Sequence, residues 1–249
     1  MGLVFRWASV ALNVPGILAV RRIPRYLRDF AALARTSSMP VPFIDSYPCL
    51  VDATAETPVD SHYFFQAAWV ARKLAKSRPG RHVDVGSDVK LVGVVSAFVE
   101  TVFVDHRPLA VSLTGLECRK GNLLDLDWPP DSMESLSCLH VVEHVGLGRY
   151  GDPIDPEGSA KACAELTRVL APGGSLYLSV PVGRERLCFN AHRVFAPSTI
   201  RDLVPGLTLE SFAYVDDEGG FHECASFENA RGGDYGCGMF HFVKPMRTR

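Results

Sequence analysis

Two short stretches of this sequence hold histidines beside carboxylate or amide side chains: residues 138–145 and residues 189–195. Imidazole titrates near neutral pH, so a histidine in a cleft can take a proton from a hydroxyl group. A single loop histidine more often makes a structural hydrogen bond, but two such stretches at one cleft favour catalysis. The predicted catalytic residues are His140, Glu143, His144 and His192, and Asn190 and Arg193 are predicted to bind a substrate.

Between these stretches lies a polar, glycine-rich segment, residues 146–155. Loops at the carboxyl ends of strands commonly carry binding residues. We therefore predict that Arg149, Tyr150 and Asp152 contact a substrate. The alternative is a surface loop whose polar groups bond to one another.

A third set of residues has the spacing of a nucleotide-binding edge. Gly86 follows a short apolar run, and Asp105 ends a second apolar run about 20 residues later. Glycine at a strand-to-helix turn lets the backbone approach a ligand, and a carboxylate at a strand end can bind both hydroxyls of a ribose. The alternatives are an ordinary turn and a solvated acid.

The elements that must position these residues are predicted to alternate between strand and helix, which indicates a parallel sheet. A leading helix begins after residues 57–60 and ends before residues 77–80. Strands are predicted at 83–85, 101–104, 116–119, 135–139 and 175–180, helices at 91–98, 157–170 and 197–204, and a closing strand pair at 207–214 and 239–243.

The motifs in this order resemble those of the class I S-adenosylmethionine (SAM) methyltransferases. From residues 43 to 244 the chain also resembles a bacterial family of uncharacterised domains, which is grouped with those enzymes and often encoded near surface-polysaccharide genes. The resemblance implies an α/β, Rossmann-like sheet of seven strands, the last antiparallel, with an N-terminal helical extension. The motifs that carry it are YPCL, HYFFQ, HVDVGSD, LHVVEHVGLGRYGDPIDP, SVPVG and FNAHRVF.

The resemblance also assigns roles in binding SAM. It places Asp84 near the amino group of the cofactor and Asp105 on the ribose. The related enzymes have two or three glycines at the first turn, whereas here Gly86 is followed by a serine and an aspartate. The residues implied to bind the cofactor are Asp84, Gly86, Ser87, Asp105, Asn122 and Leu123.

The implied reaction is methyl transfer from SAM to a hydroxyl of a sugar or a lipid-linked saccharide, with His144 or His192 as the base. One alternative is a non-catalytic scaffold in polysaccharide assembly, favoured by the glycine-poor turn. A nicotinamide-dependent oxidoreductase is disfavoured because Gly-x-Gly-x-x-Gly is absent. The histidine cluster has fewer carboxylates than related metal-assisted methyltransferases, so a divalent metal is the less favoured interpretation.

Composition limits the partners and the compartment. The 249 residues carry a net charge of −2, which gives no case for nucleic acid. Seven dispersed cysteines favour free thiols and a cytoplasmic protein. Residues 1–40 hold six arginines and one acid, so residues 1–42 are predicted as a basic helical extension of the domain at 43–249. Residues 1–36 are predicted to contact the inner face of a membrane, with simple packing on the domain as the alternative.

Overall fold

The computed structural model of the chain describes residues 20–107, 109–230 and 232–247. Contacts between residues divide the chain into two compact units, Met1–Val59 and Asp60–Arg249. The separation of residues 1–42 from residues 43–249 stays a prediction, and residues 1–19 of the predicted extension lie outside the described residues.

In the described part of the first unit, residues 20–59, one helix is longer than a turn. A 3-10 turn at Val20–Arg22 leads into helix α1, Ile23–Thr36, and a second 3-10 turn covers Phe43–Asp45. No residue of α1 is buried, although Phe30 meets Phe43 edge-on with ring centroids 5.4 Å apart. In the described parts of both units, no helix has the length and apolar character needed to cross a membrane.

The second unit is built on a mixed sheet flanked by helices. Its helices are α2 (Ser61–Ser77), α3 (Val89–Val95), α4 (Gly158–Val169) and α5 (Pro197–Leu203), with a 3-10 turn at Val142–His144. Its strands are β1 (His82–Val85), β2 (Thr101–Asp105), β3 (Leu116–Lys120), β4 (Met133–Leu139), β5 (Leu170–Val182), β6 (Arg186–Cys188), β7 (His192–Val194), β8 (Thr208–Val215), β9 (Phe221–His222) and β10 (Gly236–Val243).

The order across the main sheet is β3-β2-β1-β4-β5-β10-β8-β9. The strands from β3 to β5 are parallel to one another, while β10 runs antiparallel between β5 and β8. The predicted Rossmann-like sheet with an antiparallel closing strand is therefore confirmed. The two-residue strand β9 adds an eighth member to the predicted seven, and β6 and β7 form a separate hairpin.

The Pro-Gly-Gly segment at 172–174 lies inside β5, whereas the sequence predicts a helix at 157–170 and a strand only from residue 175. Helix α4 already ends at Val169, and β5 pairs with β4 on both sides of the segment. The pairing register shifts there, and Gly173 adopts a φ of +78°. The segment therefore forms an irregularity within the strand, where glycine tolerates the backbone conformation.

Apolar side chains fill both faces of the sheet. Along β5, Leu176 and Leu178 join the cluster that includes α4 and α5, whereas Tyr177 joins the cluster that includes α2 and α3. Period-two alternation in a strand places successive side chains on opposite faces. Both faces of the central strands are therefore covered, as is usual for parallel strands.

One face of the sheet also carries a buried polar chain that ties β1 to β4. His82 contacts the hydroxyls of Ser135 and Ser137 at 2.8 Å each, and Ser137 donates to the Asp84 carboxylate. Burial lowers the pKa of His82 to about 3, so its ring is neutral. The other Asp84 oxygen accepts the Ser87 N–H at 3.1 Å. Hydrogen bonding of this kind makes buried polar groups tolerable.

We expect the free energy of unfolding of the protein to depend on the ionisation of Asp84. Burial raises the pKa of Asp84 to about 6 from 3.8, against the lowering effect of its Ser137 and Ser87 bonds. The stability that Asp84 contributes is therefore full below about pH 4 and is lost as the pH rises through about 6. An Asp84→Asn variant cannot ionise, and its amide can still accept from Ser87 and donate to Ser137. Between pH 4 and pH 7 the free energy of unfolding of wild type should fall by on the order of 3 kcal/mol relative to that of this variant.

Urea unfolding at a series of pH values measures this difference. An Asp202→Asn variant is the matched control, because the Asp202 side chain is 67% exposed on α5 and contacts Arg201. Its pH profile should follow that of wild type. Parallel profiles for wild type and Asp84→Asn would show that Asp84 is not the titrating group.

Candidate functional site

A cavity of about 410 Å³ opens at the carboxyl ends of β1 to β4. Its walls are largely apolar, with one carboxylate at the end of β2 and an amide after β3. The lining residues are Val85, Gly86, Val104, Asp105, His106, Arg107, Gly121, Asn122, Leu123, Leu124, Val141, His144, Val145, Tyr150, Gly151, Asp152 and Pro153.

The turn after β1 needs a glycine at residue 86. Its φ is +72°, and a Cβ atom there would lie 3.2 Å from a methyl group of Val141. The Asp84 and Ser87 side chains were predicted to bind a cofactor, but they do not line the cavity. Ser87 Oγ instead accepts the Leu139 N–H at 3.0 Å, while Asp84 accepts the Ser87 N–H. In this structure the two side chains shape the turn.

Asp105 and Asn122 both line the first cavity, and one side-chain oxygen of each is already engaged within the protein. Asp105 Oδ1 accepts the Arg107 N–H at 2.7 Å and lies 3.2 Å from His106 Nδ1, which leaves Oδ2. Asn122 Oδ1 accepts the Leu124 N–H at 3.0 Å. A ligand would therefore meet the amide NH₂ of Asn122.

A second cavity, of about 600 Å³, lies beside the first and shares His144 and Tyr150 with it. It lies over the end of β4 and the start of α2, and it is predominantly polar. The lining residues are Asp60, Ser61, His62, Tyr63, His140, Glu143, His144, Arg149, Tyr150, His192, Asp216, Asp217, Glu218, Gly219 and Tyr235. The four predicted catalytic residues are among them.

Glu143 lies at the floor of the second cavity and is fully buried. His140 Nδ1 is 3.0 Å and His144 Nε2 is 3.6 Å from its Oε1 atom. These are charge contacts, because neither carboxylate oxygen accepts a hydrogen bond of good geometry from the described residues. Burial would lower the pKa of His140, but Cys237 and the Glu143 carboxylate outweigh it and raise that pKa.

The ring nitrogens of His144 are also engaged. Nδ1 lies 2.6 Å from the Ala191 carbonyl oxygen and must donate its proton there, so Nε2 faces Glu143. Arg149 Nη1 also donates to this carbonyl, at 3.2 Å. Its similar distance to His144 Nδ1 cannot be a hydrogen bond, because both atoms carry protons.

His192 differs from His140 and His144 in its contacts. Its ring lies 6.4 Å from that of His144 and 5.2 Å from that of Tyr235, between centroids. Neither ring nitrogen makes a hydrogen bond to a residue that the structure describes. Burial, followed by the electrostatic effect of the neighbouring His144, lowers the pKa of His192, so the His192 ring is neutral near pH 7.

The glycine-rich loop divides its predicted residues between the two cavities. Both oxygens of Asp152 accept backbone N–H groups of the loop, from Gly146, Gly148 and Tyr150, and Asp152 lines the first cavity. Burial opposes this effect, but the bonds lower the pKa of Asp152. Tyr150 stands between the cavities, with Arg107 over its ring at 4.8 Å.

Asn190 and Arg193 line neither cavity in this structure. Arg193 is buried, and its guanidinium donates to four backbone carbonyls and to Ser159 Oγ. It thereby fixes the loop after β4 to the start of α4. Asn190 has a φ of +58° and donates to the Leu147 carbonyl at 3.4 Å. Both residues make structural bonds where substrate contacts were predicted.

Sequence reasoning did not place the loop between β8 and β10 at this site. Asp216, Asp217, Glu218 and Tyr235 come from it and form one wall of the second cavity. The signal available in the sequence was the composition of this loop, which is rich in glycine and acids. His62 and Tyr63 at the start of α2 also line the second cavity.

The described residues contain no group of three or more histidine, cysteine, aspartate or glutamate side chains with the arrangement of a metal site. All seven cysteines are free.

Comparison with known protein families gives one partial match. Residues 130–219, less than half of the chain, match the family described as "Caenorhabditis protein of unknown function, DUF268". No curated protein matches the sequence. The bacterial family and its link to surface polysaccharide therefore stay predictions.

Solved structures share the fold at low sequence identity. A putative sarcosine dimethylglycine methyltransferase from Galdieria sulphuraria is 15% identical, with a TM-score of 0.54 over 73% of this chain and 86% of that one. The N-methyltransferase NodS from Bradyrhizobium japonicum, in complex with S-adenosyl-L-homocysteine (SAH), is 13% identical, with a TM-score of 0.53 over 87% and 98%. The fold is thus the one found in class I methyltransferases.

Proposed function

We propose that this protein is a SAM-dependent methyltransferase that acts on a hydroxyl group of a polar, saccharide-like acceptor. The observation that carries the proposal is the pair of adjoining cavities that share His144 and Tyr150. One is apolar with a carboxylate at a strand end, and the other is polar and lined by histidines. The shared fold of methyltransferase structures supports the same assignment.

The residues of the first cavity fit the cofactor. The glycine turn at residue 86 leaves space that a Cβ atom would fill, and Asp105 Oδ2 is available to the ribose hydroxyls. Apolar side chains such as Val104 and Leu123 provide walls for a purine, and the Asn122 NH₂ can donate to a ring nitrogen. Bound SAM supplies an electrophilic methyl group on a sulfonium sulfur.

The chain's own contribution is to orient the acceptor and remove its proton. His192 is the best base, because it lines the second cavity with a neutral ring and no competing hydrogen bond from the described residues. His140 and His144 hold their ring protons toward Cys237, Glu143 or Ala191. A sugar hydroxyl is weakly acidic, so its proton must leave as the methyl group arrives.

The saccharide class and the surface-polysaccharide context rest on two supports. The second cavity presents carboxylates, imidazoles, phenols and one guanidinium, which suit a ligand rich in hydroxyl groups. The motif block that resembles the polysaccharide-associated family includes the same histidine cluster.

A second candidate, a non-catalytic scaffold of the same fold, is favoured by the turn before α3. Asp88 caps this helix and accepts N–H bonds from Lys90 and Leu91. Its carboxylate therefore occupies donors at the helix start that an anionic group of a ligand would otherwise use. Calorimetric titration with SAM and SAH separates the two candidates, since the scaffold predicts no heat.

Replacing Asp105 should weaken cofactor binding. The Asp105→Ala variant loses a charged acceptor for the ribose hydroxyls, which should cost on the order of 2–3 kcal/mol of SAM binding free energy. Isothermal titration measures the change, and Asp127→Ala, an exposed acid outside the cavity, is the control. Equal affinity in wild type and Asp105→Ala would remove Asp105 from the cofactor site.

Replacing His192 should slow methyl transfer without loss of cofactor. If His192 is the base, His192→Ala should lower turnover by about 10²–10⁴ and leave SAM affinity nearly intact. Transfer of labelled methyl groups from SAM to a saccharide panel measures turnover, with His222→Ala as a control outside the cavity. Retained activity per folded molecule, together with a lower melting temperature, would show that His192 is a packing residue.

We also propose that residues 1–36 place the enzyme on an anionic membrane surface. In the described part of this segment, the Arg25 and Arg28 side chains are 74% and 72% exposed, and Leu27 and Leu33 are 44% and 57% exposed. Basic groups beside an exposed apolar face suit the headgroup region of a bilayer.

Sedimentation with liposomes tests this placement. Wild type should sediment with vesicles that contain anionic lipid and should be released by salt. The double variant Arg25→Glu/Arg28→Glu and a chain that starts at Ser37 should both stay in solution. Equal sedimentation of these proteins would remove the proposal.

A further inference from the structure

Seven side-chain rings surround the second cavity. Neighbouring rings lie within 5.2 to 6.4 Å of one another between centroids, and His62 is stacked on Tyr235 at 5.5 Å. The rings belong to His62, Tyr63, His140, His144, Tyr150, His192 and Tyr235. The faces of tyrosine rings carry negative charge density, which attracts cations.

The charges of the second cavity are unbalanced. Among the lining residues that the structure describes, the carboxylates are those of Asp60, Glu143, Asp216, Asp217 and Glu218, Arg149 is the arginine, and none is a lysine. The raised pKa of His140 adds one imidazolium, which Glu143 contacts. The lining therefore holds an excess of negative charge that a bound cation would offset.

The carboxylates differ in their availability. Asp216 and Asp217 accept backbone N–H groups and shape their loop, and Asp60 caps α2. Glu218 is exposed at the rim and makes no side-chain hydrogen bond or ion pair within the described chain. Glu143, fully buried at the floor, has no hydrogen bond on either oxygen from the same residues.

The neutral rings add no opposing charge. Burial and then the His140 charge lower the pKa of His62, as burial and then His144 do for His192. A cation in the cavity would therefore meet tyrosine faces, neutral imidazoles and the Glu218 carboxylate.

We propose that the second cavity binds a protonated amino group, so that the acceptor is a hydroxylated organic cation such as an amino sugar. This inference rests on the proposed function, in which the second cavity holds the molecule that accepts the methyl group. It adds that this molecule is positively charged. An uncharged sugar would leave the carboxylate excess unmatched. The ammonium lies between Tyr235 and Glu218, and the reacting hydroxyl faces His192.

SAM itself carries a sulfonium and an ammonium, so the same chemistry has a second source. If the carboxylates serve the donor's charge, an amine will compete with SAM for the protein. If they serve the acceptor, an amine will bind to protein that is already saturated with SAH. The two sources are therefore separated by titrating an amine with and without SAH.

The experiment uses the full chain and three sugars at pH 6.5, where an amino sugar is protonated. Glucosamine, glucose and N-acetylglucosamine are titrated into protein with saturating SAH, and binding is followed by NMR. Glucosamine should bind about tenfold more tightly than either neutral sugar, as expected for a cation held by aromatic faces and a carboxylate. High salt should reduce the difference.

Matched variants locate the contact. Tyr235→Leu and Glu218→Gln should each remove most of the preference for glucosamine, whereas Tyr235→Phe keeps the ring and should retain it. Glu210→Gln removes an exposed carboxylate of β8 that lines neither cavity, and it should behave as wild type. Thermal melts confirm that each variant is folded.

Two results would overturn the inference. One is equal affinity for glucosamine and glucose, or a preference that Tyr235→Leu and Glu218→Gln leave intact. The other is a preference that SAH abolishes, which would assign the negative charge to the donor. A failure of the proposed function looks different, because SAH would then give no heat while the glucosamine preference would still be measurable on the protein alone.

Discussion

Parallel pairing requires neighbouring strands to end at the same edge of the sheet, and the whole site depends on that requirement. Strands β1, β2 and β4 end within one register of each other, so the turn at Gly86, the carboxylate of Asp105 and the run after Leu139 meet there. The antiparallel strand β10 closes the sheet beside β5 and brings the loop between β8 and β10 back over the same edge. Two cavities with different chemistry follow from one alignment of strands.

Two buried carboxylates lie beneath this edge, and the protein stabilises them in different ways. Asp84 accepts hydrogen bonds from Ser87 and Ser137, and burial keeps its pKa high. Glu143 lacks such donors and depends on the charge of His140. A buried charge that is paired but not hydrogen-bonded is costly. That cost indicates that the role of Glu143 is its effect on the neighbouring histidines, and that Glu143 is not there to stabilise the fold.

The sequence predicted the sheet, because buried parallel strands and amphipathic helices leave regular patterns, and it predicted that residues 140–144 lie at a strand end. It did not predict where single side chains point. Arg193 lies next to His192 in the same stretch, yet its guanidinium turns inward to backbone carbonyls. The wall formed by Glu218 and Tyr235 depends on long-range pairing of β8, β9 and β10, and no local pattern records that pairing.

The ring of Tyr150 lines both cavities. Arg107 lies over the ring at 4.8 Å and Arg149 at 5.1 Å, and His144 meets it edge-on at 5.8 Å. A molecule in the first cavity that favours one position of this ring alters the wall of the second. By thermodynamic linkage, if the first ligand changes the affinity for the second by some factor, the second changes the affinity for the first by the same factor. A side chain shared in this way would couple binding at the two cavities without any movement of the sheet.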